Sequence, residues 1–204
     1  MRILALGTAL YLLFGTIWAG ARRAKYRHLR HTISELGEHG APEARSVAFG
    51  LFLPVGLSCL TLAALAAVHD AQTTAPEAWR RGSALLAGSL AAGYLGAWVW
   101  PCDPGCPLTG SGRQLMHNLT GGIEYLGGAL ALQQLSGALP LDGRPASELF
   151  RGAAALVVII AIVLGAPPLA PWRGGLQRVA EAVLFLGLIV SSGSELIQLV
   201  PAAP

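Results

Sequence analysis

The chain has 204 residues, 53% hydrophobic and only 12% charged, against the roughly 25% charged residues of soluble domains. Its net charge of +3 is scattered around apolar segments rather than gathered in a patch, which argues against a nucleic-acid surface. Mean hydropathy is +0.56, and with apolar runs of about 20 residues this excludes an ordinary water-soluble domain.

Spanning a hydrocarbon core of about 30 Å takes about 20 helical residues. Six segments approach that length: Ile3–Gly20, Val47–Val68, Gly82–Trp100, Leu119–Leu139, Leu149–Ala166 and Leu176–Val200. Backbone polar groups in lipid must be paired within a segment, so each span is expected to be α-helical. The predicted fold is a single all-α domain over 1–204, a polytopic six-helix transmembrane bundle. The first segment resembles a secretory leader, with Arg2 before it and "AGA" after it. Its apolar run exceeds the usual leader length of about 7–15 residues, so we read a retained helix.

The first connection, "ARRAKYRHLRHTISELGEHGAPEAR", holds most of the basic residues. Within it "TISE" fits a capping box, with Thr32 as N-cap and Glu35 at N3. A short interfacial helix there is expected to place Glu35 and His39 on one face. In the third span, Ser89 with Gly93 and Ala92 with Gly96 provide small residues at helix-contact spacing.

"WPCDPGCPLTG" follows that span. Pro101, Pro104 and Pro107 stop the helix, and Asp103-Pro104-Gly105 is favourable turn chemistry. Three readings of Cys102 and Cys106 stand side by side: a disulfide, free thiols in a rigid turn, or half of a metal site completed by Asp103 and His117. Structural zinc generally takes four ligands, and Cys59, the third cysteine, lies mid-span. No metal and no cofactor is therefore expected, with zinc or another transition metal as the lesser alternative.

An ionisable residue inside a span faces protein or water and is a functional candidate by default. Glu124 is such a residue, and His117, seven positions earlier, lies on the same helix face. Glu181 falls about one turn inside the last span. With Ser34, Glu35, His39 and Asp103, these residues are expected to form a polar mouth on the side of loops one, three and five. Structural roles compete for several of them: capping for Glu35, a turn for Asp103, pairing with Arg178 for Glu181. A second polar set, Ser191, Ser194, Glu195 and Gln198, closes the last span.

Nine of the 14 Lys and Arg lie on the side of loops one, three and five: Arg22, Arg23, Lys25, Arg27, Arg30, Arg45, Arg113, Arg173 and Arg178. The positive-inside rule places that side in the cytoplasm. A disulfide between Cys102 and Cys106 needs an oxidising compartment and demands the opposite.

"HTISELGEHGAPEARSVAFGLFLPVGL", "WPCDPGCP", His117 and "GGLQRVAE" together resemble the bacterial membrane family catalogued as domain of unknown function 998. The resemblance implies a six-helix protein of the bacterial inner (plasma) membrane, without an assigned reaction. "ISELG" also resembles the damage-regulated autophagy modulator type of six-helix protein, which implies an exoplasmic first loop.

There is no Gly-rich phosphate loop, no H-E-x-x-H and no G-x-S-x-G. The reading favoured by the residues is binding or movement of a lipid or small amphiphile at the polar mouth, with membrane lipids as partners. The alternatives are a structural subunit or assembly factor among other membrane subunits, and a metal-assisted intramembrane hydrolase using His39, Asp103, His117 and Glu124. An enzyme is the less favoured class.

Overall fold

A computed structural model describes residues 1–69, 77–139 and 144–193. Among the described residues the chain is helical and has no strand. We number seven helices: α1 Arg2–Arg22, the single turn α2 Ile33–Leu36, α3 Ala44–Val68, α4 Glu77–Val99, α5, α6 Arg144–Val163 and α7 Arg173–Ser191. Helix α5 runs without a break from Gly112–Gly122 through a π-helical turn, Ile123–Gly127, into Gly128–Gly137. A 3₁₀ turn, Pro167–Trp172, leads into α7.

Among the described residues, five helices are long and apolar enough to cross a membrane: α1, α3, α4, α6, and α7 together with its leading 3₁₀ turn. Helix α5, which holds the expected fourth span, is not among them. Glu124, Gln133 and Gln134 lower its apolarity. Glu124 is buried where α5 packs against α4, α6 and α7, whereas Gln133 is exposed. The chain is thus an all-α polytopic bundle, in which α5 also leaves Leu115, Leu119, Ile123, Leu126 and Leu130 exposed.

Helix ends differ from the apolar boundaries for a simple reason. A helix stops where its backbone is capped or broken, and the edge of an apolar run is neither. Helix α4 begins at Glu77 rather than Gly82 and carries a Glu77–Arg81 ion pair at 2.5 Å on its extra turn. Helix α5 begins at Gly112, seven residues before the expected span, because the Ser111 hydroxyl accepts from the Gln114 amide at 3.2 Å. Ser194, Glu195 and Gln198, and the last part of the expected sixth span, lie outside the described residues.

Helix α4 forms the centre. It packs against α3, α5 and α7, and 56% of its most apolar window is buried, against 22% for α6. Small residues allow this: a Cβ on Gly56 of α3 would meet Leu95 at 2.7 Å, and one on Gly82 would meet Leu135 at 2.9 Å. Trp79 is fully buried, its indole N–H donating to the Ser191 carbonyl at 3.3 Å and its ring meeting Phe150 edge-on. The outer surface is apolar instead, with Phe14, Trp18, Phe49, Leu57, Ile159 and Ile162 exposed. Such a surface is suited to lipid and unsuited to water.

Candidate functional site

Loop one is organised from its own sequence outward. The expected capping box is present: Thr32 Oγ1 accepts from the Glu35 amide at 3.2 Å, and Glu35 Oε1 accepts from the Thr32 amide at 3.0 Å. Helix α2 then ends at Gly37 after one turn, too short to carry His39 beside Glu35. His39 is exposed, and its backbone amide donates to the Cys102 carbonyl at 2.8 Å. The two residues therefore do not share a face.

Two of the arginines on this side, Arg23 and Arg178, are used in construction. Arg23 donates to the Glu35 carbonyl and pairs with Glu38. Arg178 donates to the carbonyls of His28 at 2.5 Å and His31 at 3.0 Å and to the Tyr26 hydroxyl at 2.7 Å. Gly174 makes this docking possible, since a Cβ there would lie 2.2 Å from the His31 carbonyl oxygen. Burial, with the Arg178 charge adding to it, holds the His28 imidazole below its usual range.

The proline-rich turn is a second built element. Cys102 and Cys106 are joined, with Cα atoms 5.2 Å apart. Gly105 and Cys106 both adopt positive φ, +78° and +43°. Asp103 turns away from the bundle: its carboxylate accepts from the Ser111 amide and hydroxyl, both at 2.8 Å, and pairs with Arg113 at 2.7 Å. The Ser111 bonds, helped by Arg113, hold the Asp103 carboxyl below the usual carboxylate range. His117 Nδ1–H donates to the Trp100 carbonyl at 2.9 Å. Donor atoms of Cys102, Cys106 and His117 lie within 4.8 Å of one another. Sulfurs joined to each other are not thiolate ligands, so this trio lacks the donor set zinc requires.

Between these loops and the helices lies a cavity of about 510 Å³. It brings together Ser34, His117, Glu124 and Glu181 of the expected mouth. Glu35, His39 and Asp103 do not line it. Glu124 sits in the π-helical turn of α5, a local widening that often marks functional positions. Its carboxyl group lies directly over Gly93 of α4, where a Cβ would be 2.0 Å from Oε2. Glu124 is 7% exposed, and its Oε1 is buried without a hydrogen-bond partner. An unpaired buried polar atom of this kind is costly and calls for an explanation.

Glu181 is 5% exposed and is held differently. Tyr94 donates to Oε2 at 2.8 Å and Tyr125 donates to Oε1 at 2.9 Å. The expected pairing of Glu181 with Arg178 does not occur, because Arg178 is turned to loop one. Tyr94, Tyr125, Gln177 and Arg173 are lining residues that sequence reading missed. Tyr94 and Gln177 had a usable signal, as polar groups within or at the edge of predicted spans. Arg173 sits at the rim and donates to the carbonyls of Gly105 at 3.3 Å and Cys106 at 2.8 Å.

The wall between α5 and α6 is incomplete. Toward the far side they are tied by the Ser136 hydroxyl, which donates to the Ser147 carbonyl at 2.9 Å. Toward the loops, the Gly112–Gly122 part of α5 barely touches α6. The parting is lined by Gly121, Gly122 and Leu126 from α5 and by Ala161 and Ile162 from α6. Leu126 and Ile162 are 57% and 72% exposed, so the cavity reaches the apolar outer surface.

The family model for a protein of unknown function, DUF998, matches residues 5–193. The chain belongs to this family. No curated protein and no solved structure matches it. Family membership agrees with the resemblance seen in loop one, "WPCDPGCP" and the start of α7, and it brings no reaction with it.

Proposed function

We propose that this member of the DUF998 family binds a small amphiphile, admitting it sideways from the bilayer between α5 and α6. The observation that carries the reading is a single cavity with buried carboxylates inside and an exposed apolar rim. A tail can remain against Leu126 and Ile162 while a polar group reaches Glu124. Ligand sites commonly combine an apolar lining with a few placed polar groups, at volumes of about 300–1,000 Å³. The hydrolase alternative gains nothing from this geometry, since His39 is exposed and Asp103 is bound to Ser111 and Arg113.

Gly122 gives a direct test, because a Cβ there meets nothing within 4 Å. A bulky side chain can be placed at this wall without disturbing the backbone. Photoactivatable amphiphiles should label the segment around Leu126 or Ile162 in the wild-type protein, and Gly122→Phe should suppress that labelling. Equal labelling of both proteins would remove the lateral-access reading.

We further propose that loops one, three and five face an oxidising compartment. The joined Cys102 and Cys106 support this reading. The opposing charge count loses weight because Arg23, Arg113, Arg173 and Arg178 are bound to carboxylates or carbonyls at fixed structural positions. Thiol alkylation of intact cells before and after reduction should modify Cys102 and Cys106 only after reduction. Modification beforehand would return this side to the cytoplasm.

A further inference from the structure

Resting on the reading of the cavity as an amphiphile site, we propose that the group it recognises is a protonated amine, received by the unpaired carboxylate of Glu124. Two carboxylates face one cavity, each more than nine-tenths buried. Among the described residues the ion pairs are Arg23–Glu38, Arg81–Glu77, Arg113–Asp103 and Arg151–Glu148. Neither cavity carboxylate takes part in one. The nearby Arg178 is spent on loop one, and the Arg173 amino groups are held by Gly105 and Cys106. Both arginines keep their charge near the site, Arg173 on the cavity wall, but neither pairs with Glu124, whose carboxyl group is left to receive a cationic ligand.

The two glutamates divide the work. Glu181 has both oxygens occupied by tyrosine hydroxyls, so it contributes charge and a fixed wall. Glu124 retains Oε1 with no donor, and an ammonium N–H supplies the missing charge-assisted bond. Phe52, Tyr94 and Tyr125 also line the cavity, and aromatic faces attract organic cations. A bare metal ion fits less well. It needs several converging oxygens, whereas one glutamate is already saturated, and about 510 Å³ is far larger than an ion requires.

The test uses the full-length protein in a nonionic detergent and three probes of equal tail length: dodecylamine, dodecan-1-ol and dodecanoate. Equilibrium dialysis at neutral pH should show dodecylamine binding at least about tenfold more tightly than dodecan-1-ol, the gain of one charge-assisted contact. Dodecanoate should bind weakest. Glu124→Gln should abolish the preference for the amine over dodecan-1-ol. The wild-type comparison needs no variant, so a folding defect in Glu124→Gln does not blunt it.

If all three probes bind alike, the amine assignment is wrong and the amphiphile site survives. If none binds and Gly122→Phe changes no labelling, the amphiphile reading itself fails. Competition against dodecylamine then identifies the source of the amine. Displacement by vesicles of phosphatidylethanolamine, but not of phosphatidylglycerol, assigns a lipid headgroup, and displacement by tailless ethanolamine assigns a soluble amine. Failure of both competitors would overturn the proposal.

Discussion

Glu124 and Gly93 are a pair that neither residue explains alone. A carboxyl group is accommodated at the centre of the bundle because the facing helix has no side chain at that point. Gly96 does the same for Thr120, where a Cβ would lie 2.1 Å from Oγ1. Gly93→Ala should therefore destabilise the protein by about 1–3 kcal/mol, the usual cost of overpacking. The penalty should largely vanish in a Glu124→Ala background, because the clash is with that one side chain. A double-mutant cycle on thermal unfolding in detergent measures this directly. Additive effects would mean that Gly93 serves the α4 backbone and not the carboxylate. Glu124 was legible as a candidate from its position in an apolar run, and Gly93 from its small-residue spacing. That the two face each other was not legible, since a sequence does not state which helix lies against which.

Among the elements, the capping-box loop and the cysteine turn brace each other: the His39 amide donates to the Cys102 carbonyl at 2.8 Å and the Gly105 amide to Glu38 Oε2 at 2.6 Å. Thr32→Ala removes the acceptor for the Glu35 amide and should cost about 1 kcal/mol. The loss should appear as faster proteolysis in loop one, with little change in the helices. Cys102→Ser removes a crosslink between residues four apart. In the chain-entropy model such a short loop contributes about 2 kcal/mol, so the midpoint of thermal unfolding should fall. Unchanged stability under reducing and non-reducing conditions would mean the crosslink does not form in the protein as prepared. The capping box could be read from four letters because its bonds are local. The one-turn length of α2 could not, because Gly37 packs under Phe52, where a Cβ would lie 2.6 Å from the ring.

For the whole molecule, the side of loops one, three and five is held together by groups whose charge depends on pH. The carboxyl of Asp103 is depressed by its bonds to Ser111 and Arg113. A depressed acid contributes stability above its unfolded pKa, and that contribution is lost as pH falls through the folded value. His28 is also depressed, by burial and the Arg178 charge. Its unfolded form takes up a proton first on acidification, so stability again declines as pH falls, starting near the ordinary imidazole range. Acidification should thus loosen the loop side in two stages, one around neutrality to mildly acidic pH and one in the carboxylate range. Asp103→Asn should erase only the second, as followed by thermal unfolding from pH 7 down to pH 3.

The sequence by itself determined the membrane class, the helical fold, the family and the polar character of the mouth. Composition and run length are enough for these, because lipid admits few backbone structures and few charges. Tertiary structure decided which polar residues form a site. It turned Asp103 outward to Ser111 and Arg113, left His39 at the surface, gave Arg178 to loop one and placed Tyr94 and Tyr125 on Glu181. It also parted α5 from α6 on one side only. Each outcome depends on helix rotation and close approach, which are set by packing between segments far apart in the chain and have no local signature.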